Sequence, residues 1–251
     1  MDLDNVESFI KKIETSDVEE NIGTSNLSKE ELMYALSLYW VSRFEDDEVN
    51  LSNLTPFSIS QVLSLIISRF VPKPKNIIDN FPKFPDLAID IASSLNADIS
   101  YPNLKEQQGY FLAIKDRLIE AKNNESKLSV YVSNAVKQKL SQIISDFNSN
   151  SNTDEMLFVL SDESFLTDPI GFAQTLKENQ DIKLIGLFGF QGSILVDDSK
   201  ISLLVFYNIK GTQKTNIPLL TIGVPDFTDV SKIATDFKDY LDKWVTNNLG
   251  V

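Results

Sequence analysis

Apolar residues recur at two different spacings along the chain, and the change falls near residue 150. Upstream they follow the spacing of amphipathic helices, whereas downstream they gather in short runs rich in β-branched and aromatic residues. The polar run 148–154 lies between the two patterns, and its Asn and Ser side chains compete with backbone hydrogen bonding. The pattern therefore predicts a helical domain over residues 1–147, a linker at 148–154 and an α+β domain over residues 155–251.

A series of helices is predicted upstream of the linker. An apolar stripe over residues 6–13 indicates the first, and Ser28 with Glu31 forms a capping box ahead of the second. The most apolar helix covers residues 57–70. The longest stripe, over residues 128–147, predicts a continuous helix of about 20 residues that could serve as the spine of a bundle. The upstream half is therefore predicted to be an all-α helical bundle.

Short strands and two helices are predicted downstream of the linker. The strands are expected at residues 156–160, 182–190, 194–196, 201–209 and 219–224. Asp168 with Pro169 begins one helix, and the last helix starts near Asp226 or Thr228 and ends at Gly250. The fold class predicted for the whole chain is α+β, with a helical bundle followed by a mainly antiparallel sheet of about four to five strands with flanking helices.

The chain contains neither histidine nor cysteine. Imidazole and thiolate are the commonest acid–base and nucleophilic groups, so their absence favours a non-catalytic protein without excluding an enzyme. Zinc, haem and iron–sulfur centres are disfavoured for the same reason, and no cofactor is predicted. A chain without disulfides is also compatible with a reducing compartment, and the predicted location is cytoplasmic.

The formal net charge is −13 at pH 7. Such a charge repels phosphate backbones and anionic lipid, so direct binding to nucleic acid or to a membrane surface is disfavoured. The first 20 residues are acidic and interrupted by charge, unlike a signal peptide. No membrane insertion is predicted.

Two groups of glycines and carboxylates resemble chemical motifs. Gly186, Gly189 and Gly192 lie three residues apart, but a phosphate-binding loop needs another spacing and a helix directly after it. The turn containing Asp197, Asp198 and Lys200 could hold Mg²⁺ and polarise a phosphodiester.

Asp162 and Glu163, at the end of a predicted strand, would be further ligands for such an ion. The competing interpretation is a plain Asp-rich hairpin turn, which the turn preference of these residues favours.

A proline-rich stretch over residues 71–85 is the predicted binding segment. Its prolines prevent a regular helix, so three lysines and two phenylalanines could offer charge and apolar anchors to a partner. The binding residues predicted here are Lys73, Lys75, Phe81, Lys83 and Phe84. The competing interpretation is a connection between helices whose phenylalanines fill the core.

The function predicted from these features is protein–protein interaction, as an adaptor or assembly protein. Its protein partner is not identified by the sequence, and a homo-oligomer is compatible with the long stripe at 128–147. Two alternatives are kept: a Mg²⁺-dependent phosphodiesterase or nuclease that uses the carboxylates, and an acidic inhibitor that mimics nucleic acid.

Overall fold

Parallel strands form the centre of the molecule in a computed structural model of the chain. The structure describes residues 2–28, 31–32, 34–36, 38–39, 57–80, 86–102, 128–135, 139–162, 164–190, 200–214, 216–224 and 230–250.

The strands of the described residues pair in one seven-stranded sheet with the order β2-β1-β3-β4-β6-β5-β7. They are β1 (Asn76–Ile78), β2 (Asp98–Ser100), β3 (Ser129–Asn134), β4 (Met156–Asp162), β5 (Ile182–Phe190), β6 (Ile201–Asn208) and β7 (Leu220–Val224). Neighbouring strands are parallel except that β6 pairs antiparallel with both β4 and β5. All strands other than β6 therefore run in one direction, so their carboxyl ends meet at one edge of the sheet.

Helices lie on both faces of this sheet. They are α1 (Leu3–Thr15), α2 (Val18–Thr24), α3 (Phe57–Phe70), α4 (Asp86–Leu95), α5 (Leu140–Asn150), α6 (Ser164–Thr167), α7 (Pro169–Glu178) and α8 (Val230–Leu249). Several begin at residues that suit a helix start: Asp2 accepts hydrogen bonds from the Asp4 and Asn5 amides, and Asp168 accepts one from the Gly171 amide.

Alternating residues of the central strands fill two separate apolar cores. Val130 and Val132 of β3 pack with the core under α1, α3, α4 and α8, whereas Tyr131 packs with the core under α5. Apolar side chains of α6 and α7, Phe165 and Phe172, pack against the second core. A strand that is buried on both faces is typical of a parallel sheet covered by helices on each side. The architecture is therefore three-layered, with the sheet in the middle.

The predicted fold class is wrong. Sheet strands occur in the half that was expected to be an all-α bundle, and the sheet has seven strands that are mostly parallel instead of four or five that are mostly antiparallel. The physical reason is that strands buried on both faces read as apolar runs without the alternation of a half-exposed strand.

The continuous helix predicted over residues 128–147 is also wrong. Ser129–Asn134 forms β3 and Leu140–Asn150 forms α5. Several predictions of individual elements are confirmed, among them α1, the strands at 182–190 and 201–208, and the capping box, in which the Ser28 amide donates to Glu31 Oε2 at 3.0 Å.

The predicted boundary at residues 148–154 lies between two paired strands. β3 upstream and β4 downstream pair from Val130 with Met156 to Asn134 with Leu160, and α5 extends to Asn150. The sheet therefore continues across the predicted boundary. Within the described residues, no helix is both long and apolar enough to cross a membrane.

Candidate functional site

β1 and β3 are neighbours in the sheet, but the chain continues from them in opposite directions. The strand that follows β1, β2, lies on one side of the pair, and the strand that follows β3, β4, lies on the other side. The helix after β1, α4, packs in the first core, whereas the helix after β3, α5, packs in the second core on the opposite face. In open α/β sheets, helices that leave neighbouring strands toward opposite faces open a crevice beyond the carboxyl ends of those strands, and ligands bind there. The ends of β1 and β3 are therefore the first place where a functional site is expected.

Buried polar residues occupy both strand ends. Asp79 and Asn80 directly follow β1 and are 4% and 8% exposed, and Ser133 near the end of β3 is 2% exposed. Ile78 pairs with Tyr131, so Asp79 and Asn80 run beside the last residues of β3. Buried polar groups are costly unless they find partners, so a group of them at this crevice is a candidate site.

Asn80 crosses the crevice to α5, where its Nδ2 donates a hydrogen bond to the Asp146 carboxylate. The pair lines a cavity of about 10 Å³ together with Tyr131 and Ser133. A void of this size holds about one water molecule. A larger ligand would therefore lie over the strand ends, outside the Asn80–Asp146 pair.

The Ser133 hydroxyl lines the same cavity and has no hydrogen-bond partner. By contrast, the buried Asn208 amide donates to both the carbonyl and the hydroxyl of Ser151. A buried hydroxyl without a partner is uncommon in native proteins and indicates a position where a water or a ligand group completes the hydrogen bonding.

Tyr131 also lines the cavity. Burial, aided by the negative charges of Glu155 and Asp146, raises the pKa of its phenol to about 12. The phenol is therefore neutral near pH 7 and donates to the Asn150 carbonyl oxygen at 3.0 Å. Tyr131 is a structural donor that ties β3 to the end of α5, and it is unsuited to act as a base.

The predicted binding residues Lys73 and Lys75 are exposed and precede β1. Both lie at the amino end of the strand; the Lys75 amide donates to the Leu128 carbonyl oxygen at 2.9 Å, and Lys73 has a φ of 53°. Phe81, Lys83 and Phe84 lie outside the described residues, although their described neighbour Asn80 is at the carboxyl end. The structure thus separates the two lysines from Asn80 by the length of β1.

Two residues of the predicted carboxylate site, Asp162 and Lys200, lie at the same edge as the crevice. Asp162 ends β4 and pairs with Ile201, so it lies beside exposed Lys200, whereas Glu163, Asp197 and Asp198 are outside the described residues. Among the residues that the structure describes, no group of three acidic side chains is placed to hold a metal ion.

Asp79, Asn80, Ser133 and Asn134 are not among the residues predicted from the sequence. The signal that could have found them is an apolar pair followed at once by polar residues, as in Ile77-Ile78-Asp79-Asn80 and Tyr131-Val132-Ser133-Asn134. That pattern is typical of a buried parallel strand that ends at a ligand crevice. The second instance was assigned to a helix, and the first to a loop.

No known protein-family model and no curated protein sequence matches the chain. Among solved structures, it is similar to a protein from Listeria monocytogenes assigned to the class I S-adenosylmethionine-dependent methyltransferases. The TM-score is 0.63 at 14% identity, and the match covers 96% of this chain and 90% of the other. A modification subunit assigned to a type I restriction enzyme from Vibrio vulnificus gives a TM-score of 0.45 at 13% identity, covering 80% of this chain and 54% of the other.

The prediction of a non-catalytic adaptor or assembly protein is contradicted by the Listeria similarity, and the nuclease and nucleic-acid-mimic alternatives have no support in it. The adaptor hypothesis relied on the missing catalytic side chains, on the two-part organisation and on the regular apolar stripe over residues 128–147, which the structure divides between β3 and α5. The chain instead shares, over 96% of its length, the fold of a protein assigned to the S-adenosylmethionine-dependent methyltransferases.

Proposed function

We propose that the chain binds S-adenosylmethionine in the crevice beyond β1 and β3 and transfers its methyl group to an acceptor. The observation that carries the proposal is the cluster of buried polar side chains at the switch point of a sheet with this fold. The missing histidine and cysteine do not oppose it, because methyl transfer to a nucleophilic nitrogen or oxygen depends chiefly on positioning two reactants.

The side chains at the crevice suit this cofactor. S-adenosylmethionine carries a positive sulfonium, an ammonium group and ribose hydroxyls, which call for carboxylates and hydrogen-bonding oxygens. Asp79 and Asp146 supply carboxylates, and the buried, unpartnered Ser133 hydroxyl supplies a donor and an acceptor. These three residues, with Asn80, are the ones we propose to hold the cofactor.

The sequence that follows β1 also distinguishes between cofactors. Residues 79–86, from Asp79 to Asp86, contain no glycine. Dinucleotide-binding sites have glycines directly after the first strand, so that the backbone can approach a pyrophosphate closely. The chain therefore lacks the fingerprint of an NAD or FAD site, and the proposed ligand is held by side chains.

Bound S-adenosylmethionine supplies an electrophilic methyl carbon on a sulfonium sulfur. The contribution of the chain is electrostatic and geometric: the buried Asp79 carboxylate and the half-buried Asp146 carboxylate would favour binding of the positively charged cofactor. The Asn80–Asp146 hydrogen bond fixes the wall of the crevice, so the acceptor can be held in line with the bond to be broken.

Isothermal titration of the purified chain with S-adenosylmethionine tests the proposal. We expect binding with a stoichiometry of about one. Asp79→Asn should weaken it by about tenfold, since a charge-assisted hydrogen bond contributes about 1.5 kcal/mol. Asp181→Asn, at an exposed position before β5, is the control and should bind normally. No binding to the unmodified chain at millimolar cofactor would refute the proposal.

A protein partner or a homo-oligomer is proposed in addition, supported by the exposed lysines Lys73 and Lys75 in a chain whose net charge is −13. Phe81, Lys83 and Phe84 belong to the same proposed binding segment. Direct binding to nucleic acid is not expected, because the net charge repels it. Light scattering of the chain and of its Lys73→Glu, Lys75→Glu variant measures self-association.

Two further proposals rest on the sequence. Asp162, with Glu163, Asp197, Asp198 and Lys200, remains a candidate Mg²⁺ site, and a rise in the melting temperature with millimolar Mg²⁺ would support it. A cytoplasmic location is supported by the cysteine-free composition and is measured by fractionation of the source cells.

A further inference from the structure

Two large apolar side chains are exposed at the corner formed by α6 and the start of α7, residues 164–172. Leu166 is 57% exposed and Ile170 is 79% exposed. Helix α7 itself contributes no fully buried residue. Single exposed apolar residues are ordinary, but two within one corner form a patch of the kind that marks a binding surface.

The α6–α7 corner is fixed by contacts with the second core and by the cap of α7. The rings of Phe165 and Phe172 pack at 5.5 Å between centroids, and both side chains rest against the second core. Asp168 caps α7 through a hydrogen bond of 2.9 Å from the Gly171 amide. The backbone that carries Leu166 and Ile170 is therefore already fixed in the folded protein. Binding of a ligand at the corner would not have the entropic cost of ordering this segment.

The corner lies beside the proposed cofactor crevice. Helix α6 begins two residues after β4 ends, at the edge where the parallel strands end, and β4 is the neighbour of β3. Phe165 and Phe172 pack in the same core as Tyr131 and α5, which places the corner on the face of the sheet that carries Asp146. A molecule in contact with Ile170 would thus reach toward the crevice.

The charge around this edge favours a cation. The charged residues that the described elements place at this edge include the carboxylates of Asp79, Asp146, Asp162 and Asp168 and the ammonium groups of Lys139 and Lys200, in a chain with a net charge of −13. Asp168 is exposed, so its charge acts on the solvent next to Ile170. A polyanion is repelled by this field, and an ammonium ion is attracted.

We propose that the α6–α7 corner binds the apolar group of the methyl acceptor, and that the acceptor is a small amine with an apolar or aromatic substituent. This inference rests on the proposed methyltransferase function. Leu166 and Ile170 would then be specificity-determining residues, with the amine directed toward the carboxylates of the crevice. For transfer, the ammonium ion would first lose a proton to a crevice carboxylate or to solvent. The nitrogen lone pair would then form the bond to the methyl carbon while the methyl–sulfur bond breaks and the sulfur leaves as a thioether.

The experiment titrates the chain, by calorimetry, with phenethylamine, with 3-phenylpropionate and with a single-stranded oligonucleotide. We expect measurable binding of the amine, weakened by added salt, and no binding of the two anions. The Leu166→Ser, Ile170→Ser variant should bind the amine at least about tenfold more weakly, because it no longer offers two apolar side chains for the ligand to cover.

Leu219→Ser is the matched control. Leu219 is 51% exposed and precedes β7 at the opposite edge of the sheet, so its replacement should leave amine binding unchanged. Melting temperatures of all variants verify that they are folded, and Ile170→Ser alone should give an intermediate affinity.

Several results would overturn the inference: equal binding of amine and carboxylate, tighter binding of the oligonucleotide, or a double variant that binds like the unmodified chain. A double variant that turns a dimer into a monomer in light scattering would identify the corner as a self-association surface instead. Titration with S-adenosylmethionine distinguishes the two proposals. If the chain does not bind S-adenosylmethionine, the proposed methyltransferase function is wrong. If it binds S-adenosylmethionine but not the amine, only the assignment of the acceptor is wrong.

Discussion

Ser133 and Ser151 are two buried serines whose hydroxyls have opposite surroundings. The Ser133 hydroxyl has no partner, whereas the Ser151 hydroxyl donates to the Phe147 carbonyl oxygen at 2.6 Å and accepts from the Asn208 amide at 2.8 Å. An unpaired hydroxyl adds no hydrogen-bond energy to the fold, but a paired one leaves its partner unsatisfied when it is removed.

We therefore predict that Ser133→Ala changes the free energy of unfolding by less than about 0.5 kcal/mol, and that Ser151→Ala lowers it by about 1 to 2 kcal/mol. Urea unfolding followed by circular dichroism measures both. Ser133→Ala should nevertheless weaken S-adenosylmethionine binding. A large loss of stability in Ser133→Ala would mean that the hydroxyl serves the fold and not a ligand.

At the scale of single elements, the cap of α7 couples two residues. A Cβ atom on Gly171 would lie 2.2 Å from Asp168 Oδ2 and 2.8 Å from Asp168 Cγ, so the capping carboxylate leaves no room for a side chain there. We predict that Asp168→Ala destabilises the protein by about 1 kcal/mol through loss of the cap. Gly171→Ala should destabilise it as well, because the added methyl displaces the carboxylate.

The double variant decides whether this steric account is correct. Once Asp168 is replaced by alanine, Gly171→Ala should stabilise the protein by up to about 1 kcal/mol, because alanine favours the helix over glycine. A change of sign in a double-mutant cycle, measured by chemical denaturation, is the expected result. If Gly171→Ala has the same effect in both backgrounds, the carboxylate does not restrict residue 171.

The sequence predicts many single elements of this chain but not how the strands pair. Residues 182–190 and 201–208 were recognisable as strands because apolar and β-branched residues concentrate there. Leu128, Tyr131, Val132 and Ala135 also matched a helical spacing by coincidence, since every residue from Val130 to Ser133 is buried in the structure. Only tertiary packing distinguishes the two interpretations.

At the scale of the whole molecule, the same limit explains why the candidate site was missed. Asn80 and Ser133 are 53 positions apart by their numbers in the sequence, yet they line one cavity because β1 pairs in parallel with β3. No local pattern reveals such pairing. Charge and composition are properties of the whole chain, so they could exclude zinc and thiol chemistry but could not locate the crevice.

The shared sheet also bears on whether residues 1–147 and 155–251 fold independently. β4 pairs with β3 through five residue pairs, and the Trp244 ring of α8 packs 5.9 Å from the Phe70 ring of α3. A fragment of residues 155–251 would expose the edge of β4 and the apolar side of α8. We predict that this fragment alone aggregates or lacks a cooperative thermal transition.

Co-expression supplies the control for that experiment. Fragments 1–154 and 155–251 made together should associate and recover a cooperative transition, because the missing strand and helices are restored without a covalent link. The cut falls in a polar segment after α5, where Ser151 is followed by exposed Asn152 and Thr153, so it interrupts no strand. A cooperative thermal transition of residues 155–251 on their own would instead support the predicted division into two domains. The pairing of β3 with β4 would then be an interface between two domains and not the interior of one domain.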